Sequence, residues 1–253
     1  MSPIATLVNE ILKGLLFQKC QIPYSYNWLK NVVEKRRKKT TEQQSSKKFN
    51  ITYENHFRMV STVYDNINSI MNGILKEFCE SGNVILQVVI IFGSTPNYPK
   101  EVYTLNLPAI VMGHDEKNHV SDINKHLQKI LRNIFLSQSW MDSIDGSLNC
   151  TNTYIYLKRS VVNESCLNEG FQSCQPLSYV ASTKKSVFCF NCEFTERTNC
   201  CYNECGDTAT IEKDLPPNFM EKNICWCRSN TYIKGFKDTF VNKLLELSIF
   251  KSD

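Results

Sequence analysis

Residues 84–92 read Val-Ile-Leu-Gln-Val-Val-Ile-Ile-Phe, an apolar and largely β-branched run broken only by Gln87. Such a run has no wet face, so it predicts a central strand covered on both sides. Residues 93–97, Gly-Ser-Thr-Pro-Asn, read as a turn. After it, Val102, Thr104 and Asn106 alternate with Tyr103, Leu105 and Leu107, as in a half-buried partner strand. Cover for this pair must come from helices. Apolar residues recur at three-and-four spacing over 4–19 (Ile4, Leu7, Val8, Ile11, Leu12, Leu15, Leu16), with Pro23 helping to end that helix, and over 53–78 and 122–140. A shorter helical patch holds Trp28, Leu29, Val32 and Val33.

The later chain reads mostly as strand, at 153–158, 177–180, 186–194 and 223–233. Three main helices around a sheet with some early and mostly late strands, without regular βαβ alternation, is an α+β pattern. One domain over 1–237 is expected. It contains a basic loop at 34–50 and a Cys-rich irregular connection at 195–222, and an amphipathic extension follows at 238–253. The 9 glycines and 8 prolines among 253 residues exclude collagen-like and low-complexity classes.

The formal net charge of +4 is local. Lys35, Arg36, Arg37, Lys38, Lys39, Lys47 and Lys48 against Glu34 and Glu42 give 7 − 2 = +5, leaving the rest of the chain near −1. A nucleic-acid-binding face spreads its cations and adds base contacts, so neither nucleic acid nor membrane is an expected partner. The basic stretch reads as a solvated segment, with an import signal or partner arm as alternatives. The opening residues are interrupted by Asn9, Glu10, Lys13 and Gly14 and read as an amphipathic helix rather than a signal peptide. Cytosol or nucleus, with mostly reduced thiols, is therefore the expected setting.

Twelve cysteines are present, ten of them from Cys150 to Cys227. Cys189, Cys192, Cys200 and Cys205 are the weak candidates for a structural zinc site. Against it, Cys189 and Cys192 fall in a segment of strand composition, where residues three apart point to opposite faces. Scattered free thiols are the simpler reading, and no metal or cofactor is expected. The Ile-Phe-Gly-Ser turn at 91–94 suits a nucleotidyltransferase, but that chemistry needs carboxylates at i and i+2 of the next strand to share magnesium. Thr104 and Asn106 stand there instead. No helical histidine pair, nucleophile elbow, phosphate loop or dinucleotide fingerprint occurs, so an enzyme is not expected and no catalytic residue is assigned.

Three segments carry a resemblance. These are Ile-Leu-Lys-Gly-Leu-Leu-Phe-Gln-Lys-Cys-Gln-Ile-Pro-Tyr at 11–24; Val-Val-Ile-Ile-Phe-Gly at 88–93 with Pro-Lys-Glu-Val-Tyr-Thr-Leu-Asn-Leu at 99–107; and Thr-Tyr-Ile-Lys-Gly-Phe at 231–236. In this order they resemble the comet family, the MAD-two-binding proteins of the spindle assembly checkpoint.

Membership implies a HORMA-like α+β fold, with three helices packed on a mainly antiparallel sheet that a C-terminal segment completes. It implies a non-enzymatic adaptor that binds the closed conformer of the MAD-two checkpoint protein. The adaptor presents that conformer to an AAA+ remodelling ATPase, so that the mitotic checkpoint complex is disassembled and the checkpoint silenced. The implied setting is nucleus and cytoplasm, with spindle or kinetochore during mitosis. Carried over, the polar docking residue of the first helix falls on Gln18 and the apolar one of the third on Leu131, with Phe17, Arg132 and Phe135 completing an apolar anchor and polar rim. Gln18 also reads as an ordinary exposed helix residue and Leu131 as core. The family's Pro-Lys pair, used towards the ATPase, falls near Gln175-Pro176-Leu177, without the lysine. A generic HORMA-like or zinc-supported scaffold and a degenerate nucleotidyltransferase are the alternatives.

Overall fold

The computed structural model describes residues 3–42, 51–79, 83–107, 120–161, 169–178, 183–189 and 224–237. Five helices and seven strands follow in the order α1 (Pro3–Gln18), α2 (Tyr26–Glu42), α3 (Ile51–Cys79), β1 (Asn83–Thr95), β2 (Tyr98–Asn106), α4 (Val120–Phe135), α5 (Gln138–Ile144), β3 (Asn152–Val161), β4 (Phe171–Cys174), β5 (Lys184–Cys189), β6 (Ile224–Ser229) and β7 (Ile233–Lys234). The sheet runs β4-β6-β3-β1-β2-β5, with β7 also on β3; every pairing is antiparallel except β2 with β5. The arrangement is a HORMA-like α+β fold.

β1 holds the central place its apolar run requires. Val88, Ile90 and Phe92 join the core beneath the helices, while Val89 and Ile91 form a second cluster with Val102 and Tyr156. Gln87, the single polar interruption, sits opposite Asn106 and donates to its Oδ1 at 2.7 Å. The expected turn at 93–97 shrinks to two residues, because pairing continues to Thr95 opposite Tyr98.

Four expectations change. Among the described residues the helices number five, against the three main ones expected. The basic run expected in a loop over 34–50 is helical as far as Glu42, because Arg36 and Arg37 find partners on α3: Glu54 at 3.1 Å and Asp65 at 2.7 Å, with Arg36 also over the Phe57 ring. A strand not expected forms at Phe171–Cys174, where a partner edge exists on β6; of the strand expected at 177–180, Leu177 and Ser178 lie outside any strand, Leu177 packs on the second cluster, and 179–180 lie outside the described residues. The helix expected over 122–140 divides at Ser137, which caps α5 by accepting from the Trp140 backbone N–H at 3.2 Å. The Cys-rich connection at 195–222 and the 238–253 extension lie wholly outside the described residues.

The three segments that carried the resemblance meet at the exit of α1. Cys20 adopts φ 54° and Gln21 N–H returns to Leu16 O at 2.9 Å, a left-handed cap that stops the helix before Pro23 is reached. The buried Gln21 accepts from Thr151 N–H at 2.8 Å, while its own carbonyl receives Phe236 N–H at 2.9 Å. A Cβ on Gly235 would stand 2.6 Å from Gln21 Oε1 and 2.8 Å from Thr151 O, so only glycine lets the C-terminal segment lie this close. On the other side, the fully buried Lys19 pairs with Glu101 at 3.0 Å and donates to Gly146 O at 3.2 Å. Tyr103 completes the knot through Glu101 at 2.7 Å and Ser143 O at 3.0 Å. Burial first, then the bond to Glu101, raises its phenol far above the ordinary range.

Candidate docking surface

The residues proposed from the sequence gather where the end of α1 meets α4 and α5. Phe17 is 47% exposed in the last turn of α1, and Gln18 beside it is exposed too. Arg132 is exposed on α4, whereas Leu131 is half-buried and packs on the main core. Phe135 is half-buried, its ring edge-on to Trp140 with centroids 4.9 Å apart. A Cβ on Gly14 would stand 3.2 Å from the Phe135 ring, so the absence of a side chain there lets α4 settle on α1.

The organising residue is one the sequence reading did not select. Trp140 is fully buried, touches Phe135, lies tilted against Phe188 on β5 with centroids 5.5 Å apart, and donates its indole N–H to Gln18 Oε1 at 3.1 Å. It thereby ties α1, α4, α5 and β5 together. Around it the surface is apolar: Leu136 is 71% exposed, Met141 51%, Val187 59% and Ile130 43%. Between α5 and β5 runs a shallow groove lined by Ser139, Asp142 and Ser143 on one side and by residues 184–188 on the other. Apolar anchors bordered by hydroxyl, amide and charged groups are the composition of a protein interface. A signal for α5 exists in the sequence: Ser137 three residues before Trp140 is an N-cap spacing, hidden by the apolar period that runs through it.

Of the four metal candidates only Cys189 falls among the described residues. Cys189 is exposed on β5 and accepts from Asn106 Nδ2 at 3.3 Å; Cys192, Cys200 and Cys205 lie outside the described residues. No group of three metal-binding side chains occurs among those described. Cys225 and Cys227 share one face of β6 with sulfurs 3.8 Å apart, and burial holds the Cys227 thiol well above its ordinary range. Alkylation of the native protein at pH 8, read by mass spectrometry, is therefore expected to label the exposed Cys20, Cys79 and Cys189 while leaving Cys227 unmodified until denaturant is added.

A HORMA-like α+β domain with an apolar, polar-rimmed helix face has the make-up of a protein-docking module. A family model described as p31comet, Mad1 and Cdc20-bound-Mad2 binding, matches residues 3–159, more than half of the 253, and the chain belongs to that family. The match runs from α1 into β3 and includes every candidate docking residue named above on α1, α4 and α5. The family is one of Mad2-binding proteins of the spindle checkpoint. Comparison with curated proteins gave no significant match.

Proposed function

We propose that this chain is a non-enzymatic adaptor that binds the closed conformer of Mad2, as held by Mad1 or Cdc20, through the face formed by the end of α1, α4 and α5. It then presents that conformer to an AAA+ remodelling ATPase, which opens it, disassembles the mitotic checkpoint complex and silences the checkpoint. The setting is nucleus and cytoplasm, with spindle or kinetochore during mitosis. The observation that carries the reading is the family match over residues 3–159, which contains the exposed apolar residues Phe17, Ile130, Leu136 and Met141.

Because Leu131 packs on the core, a charge placed there would disturb folding as well as docking. Arg132 is the cleaner position. Gln18→Ala combined with Arg132→Glu is expected to weaken binding of Mad2 loaded with a Cdc20 peptide about thirtyfold, the effect of losing an interface hot spot. Isothermal titration measures this, with thermal unfolding as the control for folding. Adding the ATPase with ATP should open Mad2 only when the wild-type chain is present. Unchanged binding by the folded double variant sinks the site, and Mad2 opening that ignores the chain sinks the adaptor role.

A further inference from the structure

We propose that Gln18 meets its partner as a hydrogen-bond donor, because Trp140 decides which end of the Gln18 amide faces outward. An indole N–H can donate and never accept, so the Gln18 atom 3.1 Å from Trp140 Nε1 must be the carbonyl oxygen. Trp140 cannot release it by turning, since the ring is fully buried between Phe135 and Phe188 and its own backbone N–H is held by the Ser137 cap. The exposed amide therefore presents Nε2, which makes no hydrogen bond among the described residues. A glutamine free to flip would suit a donor or an acceptor equally. Pinned by the indole, Gln18 suits at Nε2 a partner that offers an acceptor oxygen, and a donor placed against Nε2 is left unpaired. Trp140 is thus a positioning residue that acts through Gln18.

This inference rests on the docking reading above and is tested on the same complex, the full chain with Mad2 loaded with a Cdc20 peptide. In Gln18→Glu a carboxylate oxygen still accepts the indole N–H, so thermal unfolding stays at the wild-type value, but an oxygen now faces the partner's oxygen. The dissociation constant is expected to rise about tenfold, and further than in Gln18→Ala, which only removes the bond. Trp140→Phe keeps a ring in place and frees the amide; it is expected to weaken binding about threefold in the wild-type background. In the Gln18→Ala background it should change nothing, whereas a purely structural Trp140 would weaken both alike. Wild-type affinity in Gln18→Glu, tighter binding by Gln18→Glu than by Gln18→Ala, or equal effects of Trp140→Phe in both backgrounds overturns the inference and leaves the docking reading standing. Failure of the wild-type chain to bind overturns both.

Discussion

Lys19→Met is expected to lower unfolding free energy by about 3–5 kcal/mol, the cost of removing one partner from a buried ion pair. The Lys19 side chain is 0% exposed and that of Glu101 12%, so water cannot replace the ammonium once it is gone. Among the described residues three acceptors lose a donor together: Glu101, which keeps only the Tyr103 hydroxyl; Asp145 O at 3.4 Å, which keeps only Lys184; and Gly146 O at 3.2 Å. The two carbonyls follow directly on α5, so its end loses its anchor to α1. Urea denaturation of three variants checks the cause. Glu101→Gln alone is also destabilising, because it leaves the ammonium buried beside a neutral amide. Lys19→Met combined with Glu101→Gln should recover part of the summed loss, since neither charge is then left without its opposite. Strictly additive losses would show that Lys19 acts by packing and not by charge.

Trp140→Ala is expected to cost about 3–5 kcal/mol, the range for deleting a fully buried aromatic. The cavity opens at a junction rather than inside one layer. Phe135 loses its edge contact, Phe188 loses its neighbour, and Gln18 loses its donor. α5 has only seven residues, too few to persist without tertiary support, and Trp140 is one of its two buried side chains. The variant should therefore combine a lower unfolding midpoint with loss of Mad2 binding at temperatures where the sheet is still folded. Near-ultraviolet circular dichroism, far-ultraviolet circular dichroism and titration on one sample separate those events. Full binding by Trp140→Ala would show that α5 and the pinned Gln18 are not needed for docking.

The legible parts of the fold were those with a strong local period. α1 and α3 carry apolar residues at helical spacing, and β1 carries a run that leaves no face for water. The basic segment misled because charge density resembles loop composition. Arg36 and Arg37 are helical since Glu54 and Asp65, on a helix not yet reached in the chain, complement them. α4 and α5 read as one helix because the apolar period passes through Leu136 and Ser137, and period does not register a cap. The strand at Phe171–Cys174 has too few residues to announce itself and forms where β6 offers an edge.

The central strand, the main helices, the α+β class and the resemblance to a checkpoint-binding family are legible in the chain alone. Each of these follows from local spacing or residue order. Only the tertiary structure decided why the three resembling segments belong together, by placing Lys19 on Glu101 and Gln21 against Thr151 and Gly235. It also decided that Leu131 faces the core and that Gln18 is held by an indole 122 residues away. Such a bond has no sequence period. It exists because packing brings a buried donor-only group to an exposed amide, the contact from which the proposed docking face would take its polarity.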